Sequence, residues 1–184
     1  KQLTASRARW LGLVIGDGYI TKNRVEFVND QQNLIDDFVT LCAELFDIHH
    51  PYLKTEKGIH RVIIHSRKLP SYLAQLMDQP LGDSLTSARK RIPEILFKSP
   101  VPTVAAMLSG LIDTDGYISK STTTIEFITK NEELARQVQH LYLRLGLLAR
   151  FVPQKKYAAN TKAKTKRTYY AVLAEGQENI KQLQ

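Results

Sequence analysis

Residues 108–127 read LSGLIDTDGYISKSTTTIEF, and residues 10–27 read WLGLVIGDGYITKNRVEF. The two strings are copies of one pattern. GDGYI answers TDGYI, VEF answers IEF, and Asp17 and Asp115 lie 98 residues apart. At the same offset Ala8, Gly12 and Gly16 match Ala106, Gly110 and Thr114. Two copies this far apart predict a pseudo-dimer of similar halves and not a solenoid. Each half is expected to run in the same order. An apolar helix, over 6–16 or 103–114, ends at Asp-Gly, where glycine lets the chain turn out of the helix. A hairpin follows over 19–29 or 117–129, with Val25 and Phe27 on one face and Arg24, Glu26 and Val28 on the other. Next comes a helix with one buried stripe: Leu34, Ile35, Phe38, Leu41, Cys42 and Leu45 in the first half, and Leu134, Val138, Leu141, Leu145 and Leu148 in the second. A second hairpin over 52–65, turning at Lys57-Gly58, and a helix over 69–77 close the first half. The second half lengthens its hairpin with a loop over 155–167 and begins its closing helix near Gly176. The predicted domains are therefore 1–78, a linker over 79–102 and 103–184, with four of the seven prolines falling between Asp78 and Pro102.

Small residues four apart along an apolar helix leave a groove in which two backbones can nearly touch. Pairing the two helices through that groove would bring their ends together and set Asp17 and Asp115 on either side of a pseudo-twofold axis. Like charges held close are unfavourable unless a cation lies between them. Carboxylate and carbonyl oxygens with retained waters suit magnesium. An aspartate before glycine is an ordinary turn former in one copy; two copies at the ends of two grooved helices favour the metal reading.

At 184 residues, 24% charged and 43% hydrophobic, the chain can bury one good core or two small ones, which excludes disordered, collagen-like and low-complexity classes. No window is apolar enough to span a membrane and no leader opens the chain, so a soluble, intracellular protein is expected, cytoplasmic if microbial. The single cysteine, Cys42, forbids an internal disulfide and reads as a buried thiol. Because Lys1 is not a methionine, the chain is expected to be a fragment of something longer. The net charge of +8 is local. Between Leu134 and Ala174 stand Arg136, Arg144, Arg150, Lys155, Lys156, Lys162, Lys164, Lys166 and Arg167 against no Asp or Glu. Clustered positive charge is a polyanion footprint, which makes nucleic acid the leading partner class and an acidic membrane surface the second.

LSGLIDTDG, residues 108–116, resembles the LAGLIDADG motif of homing endonucleases, and WLGLVIGDG, residues 10–18, resembles a looser copy. Lys90-Arg91-Ile92-Pro93 is similar to the block between the two motifs of intein-encoded members, and residues 133–150 resemble the block after the second motif. The resemblance implies an α+β fold of two pseudo-symmetric αββαββα halves, with paired central motif helices and two four-stranded antiparallel sheets forming a saddle over double-stranded DNA. It implies a monomer that makes a site-specific double-strand break. On that basis Asp17 and Asp115 are the catalytic metal ligands, helped by the carbonyls of Gly16 and Thr114, and Lys90 lies near the scissile phosphate. Asp113, matched by Ile15 in the first copy, reads as support for the helix end. Magnesium is the expected cofactor; manganese is expected to substitute, and calcium to support binding with little cleavage. Only Lys181 lies where a second basic residue is expected, so the two strand-cleaving centres are expected to be unequal. No splice-junction residues are seen, and the chain alone is not expected to splice.

Strand alternation sorts the residues that would meet DNA. If Ile20, Val25, Phe27, Val62 and Ile64 pack on the helices, then Tyr19, Thr21, Asn23, Arg24, Glu26, Val28, Arg61, Ile63 and His65 face outward. The matching set in the second half is Tyr117, Ser119, Thr124, Glu126, Ile128, Thr168 and Tyr170. Such mixtures suit base-edge readout, and their inequality predicts an asymmetric target. Lys54, Arg150, Lys155, Lys156, Lys162, Lys164, Lys166 and Arg167 are assigned to phosphates. The rival reading is a DNA-binding regulator or RNA maturase that keeps the scaffold without cutting.

Overall fold

The structure, a computed structural model, describes residues 3–119, 124–157 and 166–175, with the side chains of 156 and 157 outside the description. Helix α1 (Ala5–Asp17) starts at Thr4, whose Oγ1 accepts from the Arg7 amide at 3.3 Å. Strands β1 (Gly18–Thr21) and β2 (Arg24–Asn29) form the first hairpin, followed by α2 (Gln32–Phe46). Strands β3 (Tyr52–Glu56) and β4 (Ile59–His65) form the second hairpin, and α3 (Lys68–Leu76) closes the half. Lys57 and Gly58 both have positive φ, 51° and 78°, the geometry of a two-residue turn that suits the twist of the flanking strands. After β5 (Ser84–Leu85) and a 3-10 turn at Glu94–Lys98, the second half repeats the order. It runs through α4 (Val101–Asp115), β6 (Gly116–Ser119), β7 (Thr124–Thr129), α5 (Glu132–Arg144), β8 (Ala149–Tyr157) and β9 (Lys166–Glu175). The closing helix expected near Gly176 lies outside the described residues.

The architecture is α+β, with two antiparallel sheets ordered β3-β4-β2-β1-β5 and β6-β7-β9-β8. Helices α1 and α4 pack against each other and are buried along most of their length. Around them each sheet contributes alternate residues, Ile20, Val25, Phe27, Val62 and Ile64 from the first and Ile125, Phe127 and Val172 from the second. Full burial of a side chain of this size contributes about 1.5–3 kcal/mol. Phe27 stacks on Phe38 with centroids 4.6 Å apart, and Trp10 Nε1 donates to the buried Cys42 Sγ at 3.3 Å. Burial pushes that thiol up to about 12, so it is an inert part of the core.

Three expectations are corrected. The first sheet has five strands, because Ser84 and Leu85 pair with Thr21 and Ile20 and cover the edge of β1. Gly18 and Gly116 do turn the chain out of the helices, with extended φ values of −78° and −104°. Glycine is needed there for room, since a Cβ would fall 2.2 Å from the Val14 carbonyl oxygen or 2.6 Å from that of Ile112. Helix α5 stops at Arg144, and Gly146 at φ 78° redirects the chain, so Leu147 is buried and Leu148 is exposed. Finally, Thr168 and Tyr170 lie on the opposite face from that expected. Val172 pairs with the buried Phe127, so the alternation along β9 puts Tyr170 and Thr168 on the helix side, where Tyr170 stacks on Phe151. Arg167, Tyr169 and Leu173 take the outer face, a one-residue shift that exchanges the two sides of a strand.

Candidate active site

The small residues of the two motif helices do what their spacing predicts. A Cβ on Gly12 would lie 2.4 Å from the Met107 carbonyl oxygen and 3.0 Å from Gly110 Cα, and one on Gly110 would lie 2.6 Å from the Arg9 carbonyl oxygen. A Cβ on Gly16 would be 1.9 Å from Thr114 Oγ1, so the threonine fills the space that this glycine leaves. That hydroxyl donates within its own helix, to Gly110 O at 3.0 Å and Leu111 O at 3.1 Å. Arg9 ties the pair across the groove: its guanidinium contacts Asp113 at 2.5 Å, Asp37 at 2.8 Å and Ser109 Oγ at 3.1 Å. Asp113 is therefore engaged in holding α1 to α4.

Asp17 and Asp115 end the two helices beside this contact. Asn29, at the end of β2, donates Nδ2 to Asp17 Oδ2 at 2.7 Å while its own Oδ1 accepts from the Gln31 amide at 2.8 Å. Burial raises the Asp17 carboxyl above its usual range, against the Asn29 hydrogen bond and the Lys90 charge, with Asp30 adding to the rise. Asp115 keeps an exposed surface but is pushed up to about 6, first by desolvation and then by the charge of Asp17, with Lys90 opposing. Asp115 thus senses Asp17, and both acids sense one lysine. Among the described residues no group of three or more His, Cys, Asp or Glu gathers to hold a metal. Two carboxylates raised by desolvation, one of them also by the charge of the other, nevertheless fit a hard divalent cation that takes its other ligands from water, carbonyls and phosphate.

Lys90 stands elsewhere than on the surface. Only 1% exposed, it donates Nζ to the carbonyl oxygens of Val14 at 3.0 Å, Ile15 at 2.9 Å, Gly16 at 3.1 Å and Gly18 at 2.5 Å. These carbonyls belong to the end of α1, where the helix runs out of its own donors. Lys90 therefore caps the first motif from beneath, and the Gly16 carbonyl already accepts one hydrogen bond. Burial lowers the ammonium to about 8, with Asp115 and Asp17 opposing.

Three residues of this site escape the sequence reading: Arg9, Asn29 and Asn131. Asn131 caps α5 by accepting from the Leu134 amide at 3.1 Å, and donates to the carbonyls of Lys90 at 2.8 Å and Ser87 at 3.2 Å. Asn followed by two glutamates is a helix-start signal, but its second duty exists only in three dimensions.

On the open face of the first sheet lie Tyr19, Thr21, Arg24, Glu26, Val28, Arg61, Ile63 and His65, in the register expected, with Asn23 in the hairpin turn. Lys54 pairs opposite Arg61 and contacts Glu56 at 2.7 Å. Glu26 is the exception to exposure: its carboxylate is buried between Arg24 and Arg61. In the second sheet Tyr117, Ser119, Thr124, Glu126 and Ile128 share the open face, with Ser119 buried there. Arg150 is on that face and contacts Glu175 at 2.5 Å. Lys166 and Arg167 open β9, Lys155 pairs opposite Thr168, and Lys156 opposite Arg167. The Lys156 side chain, Lys162, Lys164 and Lys181 lie outside the described residues. No helix among the described residues is long and apolar enough to cross a membrane.

The profile of the family described as LAGLIDADG-like domain matches residues 4–76 and 102–184. Among curated proteins, an A-type ATP synthase subunit of Pyrococcus abyssi is 26% identical over 176 residues, 96% of this chain and 16% of its own length. The RecA protein of Mycobacterium tuberculosis is 28% identical over 193 residues, 97% of this chain and 24% of its own. The replicative DNA helicase DnaB of Synechocystis is 28% identical over 184 residues, 92% of this chain and 20% of its own. The chain thus spans about a sixth to a quarter of these relatives. Among solved structures, the homing endonuclease I-DmoI in complex with DNA and Ca superposes with a TM-score of 0.65 at 19% identity, covering 96% of this chain and 86% of that one. Full-length DUF199/WhiA from Thermatoga maritima superposes with a TM-score of 0.63 at 10% identity, covering 97% and 53%.

Proposed function

This chain belongs to the family of LAGLIDADG-like domains, and we propose that it is a monomeric, site-specific DNA endonuclease that cuts both strands of a long asymmetric target by divalent-metal-dependent phosphodiester hydrolysis. The observation that carries the reading is the pair of motif acids, Asp17 and Asp115, set at the ends of two helices in backbone contact and electrically coupled to each other. Magnesium, or manganese in its place, would supply an activated water and offset charge on the leaving oxygen. The protein's part is positioning. Asp17 and Asp115 would hold the metal, with the carbonyls of Gly16 and Thr114 at hand; Asn29 fixes Asp17, and Lys90 fixes the end of α1 and places a positive charge under both acids. The open sheet faces would lie over the DNA as a saddle and read its bases, while Lys54, Arg150 and Arg167 would meet phosphates; Lys155 and Lys166, expected to join them, leave β8 and β9 on the side of Thr168 instead.

An origin as the nuclease domain of an intein is supported by the relatives. The same stretch, at a quarter or less of their length, occurs in proteins as unlike as an ATP synthase component, RecA and a helicase, as expected of an inserted element. The second reading is a non-cleaving DNA-binding regulator or RNA maturase on the same fold, which DUF199/WhiA also shares. The deciding experiment incubates the protein with a library of long randomised duplexes and magnesium, beside Asp17→Asn and Asp115→Asn. Cleavage by the parent and loss of at least about a hundredfold in each variant is expected. Cleavage that persists in both variants removes the assigned chemistry, and selective binding without cleavage by the parent selects the second reading.

A further inference from the structure

Glu26 is 1% exposed on a sheet face whose neighbours are open, and each of its oxygens is buried against an arginine. Arg61 Nη1 donates to Oε2 at 2.6 Å, and Arg24 Nε is in ion-pair contact with Oε1 without the geometry of a hydrogen bond. Arg24 precedes Glu26 by two on β2, and Arg61 comes from β4 opposite Val28, so the three side chains bridge two strands. Both arginine side chains remain 43% exposed. A carboxylate covered on both oxygens by arginines is closed off from a base. It instead turns one edge of each guanidinium inward and leaves the other donors facing out. A guanidinium carries five N–H donors in a planar fork. Held at Nε, Arg24 keeps both Nη groups; held at Nη1, Arg61 keeps Nε and Nη2. Each retains a parallel pair of donors, the match for the O6 and N7 acceptors that guanine presents in the major groove.

We propose that Glu26 is a positioning residue that presents Arg24 and Arg61 as two fixed guanine readers on the first half of the DNA target. This deepens the endonuclease reading and rests on it. The repeat supplies an internal comparison. Glu126 occupies the place of Glu26, but Thr124 stands for Arg24, and Ala171, opposite Ile128, stands for Arg61. The second half therefore lacks the clamp, and the guanine pair belongs to one end of the target only.

The test is a binding selection in calcium from randomised duplexes, using Asp17→Asn protein so that no cutting intervenes, followed by sequencing. It compares that background with added Glu26→Gln, Arg24→Lys or Arg61→Lys. The background protein is expected to enrich two G·C pairs on one side of the target centre, each by about tenfold or more. Each lysine variant is expected to relax one of them, and Glu26→Gln both, while preferences on the other side stay unchanged. A merely structural effect of Glu26→Gln would lower enrichment along the whole target, and that result overturns the proposal. So does retention of both guanines in Glu26→Gln, or relaxation by the arginine variants at pairs that are not G·C. Absence of any enriched sequence in the background protein is a different outcome, for it takes down the DNA-recognition reading itself.

Discussion

Gly12→Ala sets two physical effects of opposite sign against each other. In an isolated helix, alanine in place of interior glycine adds about 1 kcal/mol of stability. In this protein the new methyl would lie 2.4 Å from the Met107 carbonyl oxygen, whereas ordinary contact begins at 3.4 Å, so α1 and α4 must part locally by about 1 Å. Gly110 Cα, at 3.0 Å, blocks a sideways escape. Overpacking of this kind costs about 1–3 kcal/mol or more, and two rigid helix backbones put this site at the upper end, for a net loss of about 1–2 kcal/mol. Equilibrium urea unfolding should show a lower midpoint at an unchanged slope. Gly110→Ala should behave alike, meeting the Arg9 carbonyl oxygen at 2.6 Å, and the double variant should cost less than the sum, since helices already parted leave room for the second methyl. The same 1 Å carried to the helix ends would lower cleavage by about a hundredfold. A midpoint for Gly12→Ala equal to or above that of the parent would refute the close helix contact and the geometry of the acid pair with it.

Lys90→Met should lose about 2–4 kcal/mol, because four carbonyls at the end of α1 lose this donor, Val14 keeping another in the Gly18 amide, while the cost of burying an ammonium is relieved. Its pH dependence is separable: with the folded value near 8 against the ordinary 10.5, the unfolded chain keeps a proton that the folded chain has lost between those limits, so parental stability from this group rises from pH 8 to 10.5. Urea midpoints at pH 7.5 and 9.5 should show that rise in the parent and its loss in Lys90→Met. Asp115 gives the opposite window. Its folded value near 6 against 3.8 means that the folded chain holds the extra proton, so this group's contribution falls as pH rises from about 4 to 6, and magnesium offsets the loss once the carboxylate ionises. The magnesium-induced rise in melting temperature should be larger at pH 7.5 than at pH 5, and an equal rise at both would count against the site.

Much of the fold was legible because its signals are local. The duplicated strings locate both helix–hairpin units, and the alternation of Ile20, Val25, Phe27, Val62 and Ile64 assigns the buried face of the first sheet correctly. What sequence misjudged depends on partners far along the chain. The face of Tyr170 follows from its pairing with Thr129 across the sheet, not from its neighbours on β9. Lys90 reads, through its motif, as a residue near the scissile phosphate, and only the packing of its stretch under α1 reveals four carbonyls at the end of that helix to which it donates. Glu26 alternates as an outward residue and is one, yet two arginines cover it. Periodicity reports which way a side chain leaves the backbone; it does not report what closes over it.

The departures from perfect repetition follow from joining two halves in one chain. A symmetric homodimer must present the same residue to itself across its axis. At the tightest point of the helix pair, two threonines would collide and two glycines would leave a void, whereas Gly16 against Thr114 fills the space once. Likewise Arg9 meets Asp113, while their repeat counterparts, Met107 and Ile15, are buried and apolar. One ion pair and one pair of buried apolar side chains thus replace what symmetry would make two of a kind. The same freedom reaches the acids. Asn29 holds Asp17 through a side-chain hydrogen bond, but the corresponding place on β7 is Thr129, whose hydroxyl accepts from the Asn131 amide at 3.2 Å. Lys90, anchored through Asn131 to the second half, caps the helix of the first. The stretch between the motifs therefore works as a brace that crosses the pseudo-axis once, in one direction, and a chain braced in this way places its two carboxylates in unlike surroundings however alike the two motifs read.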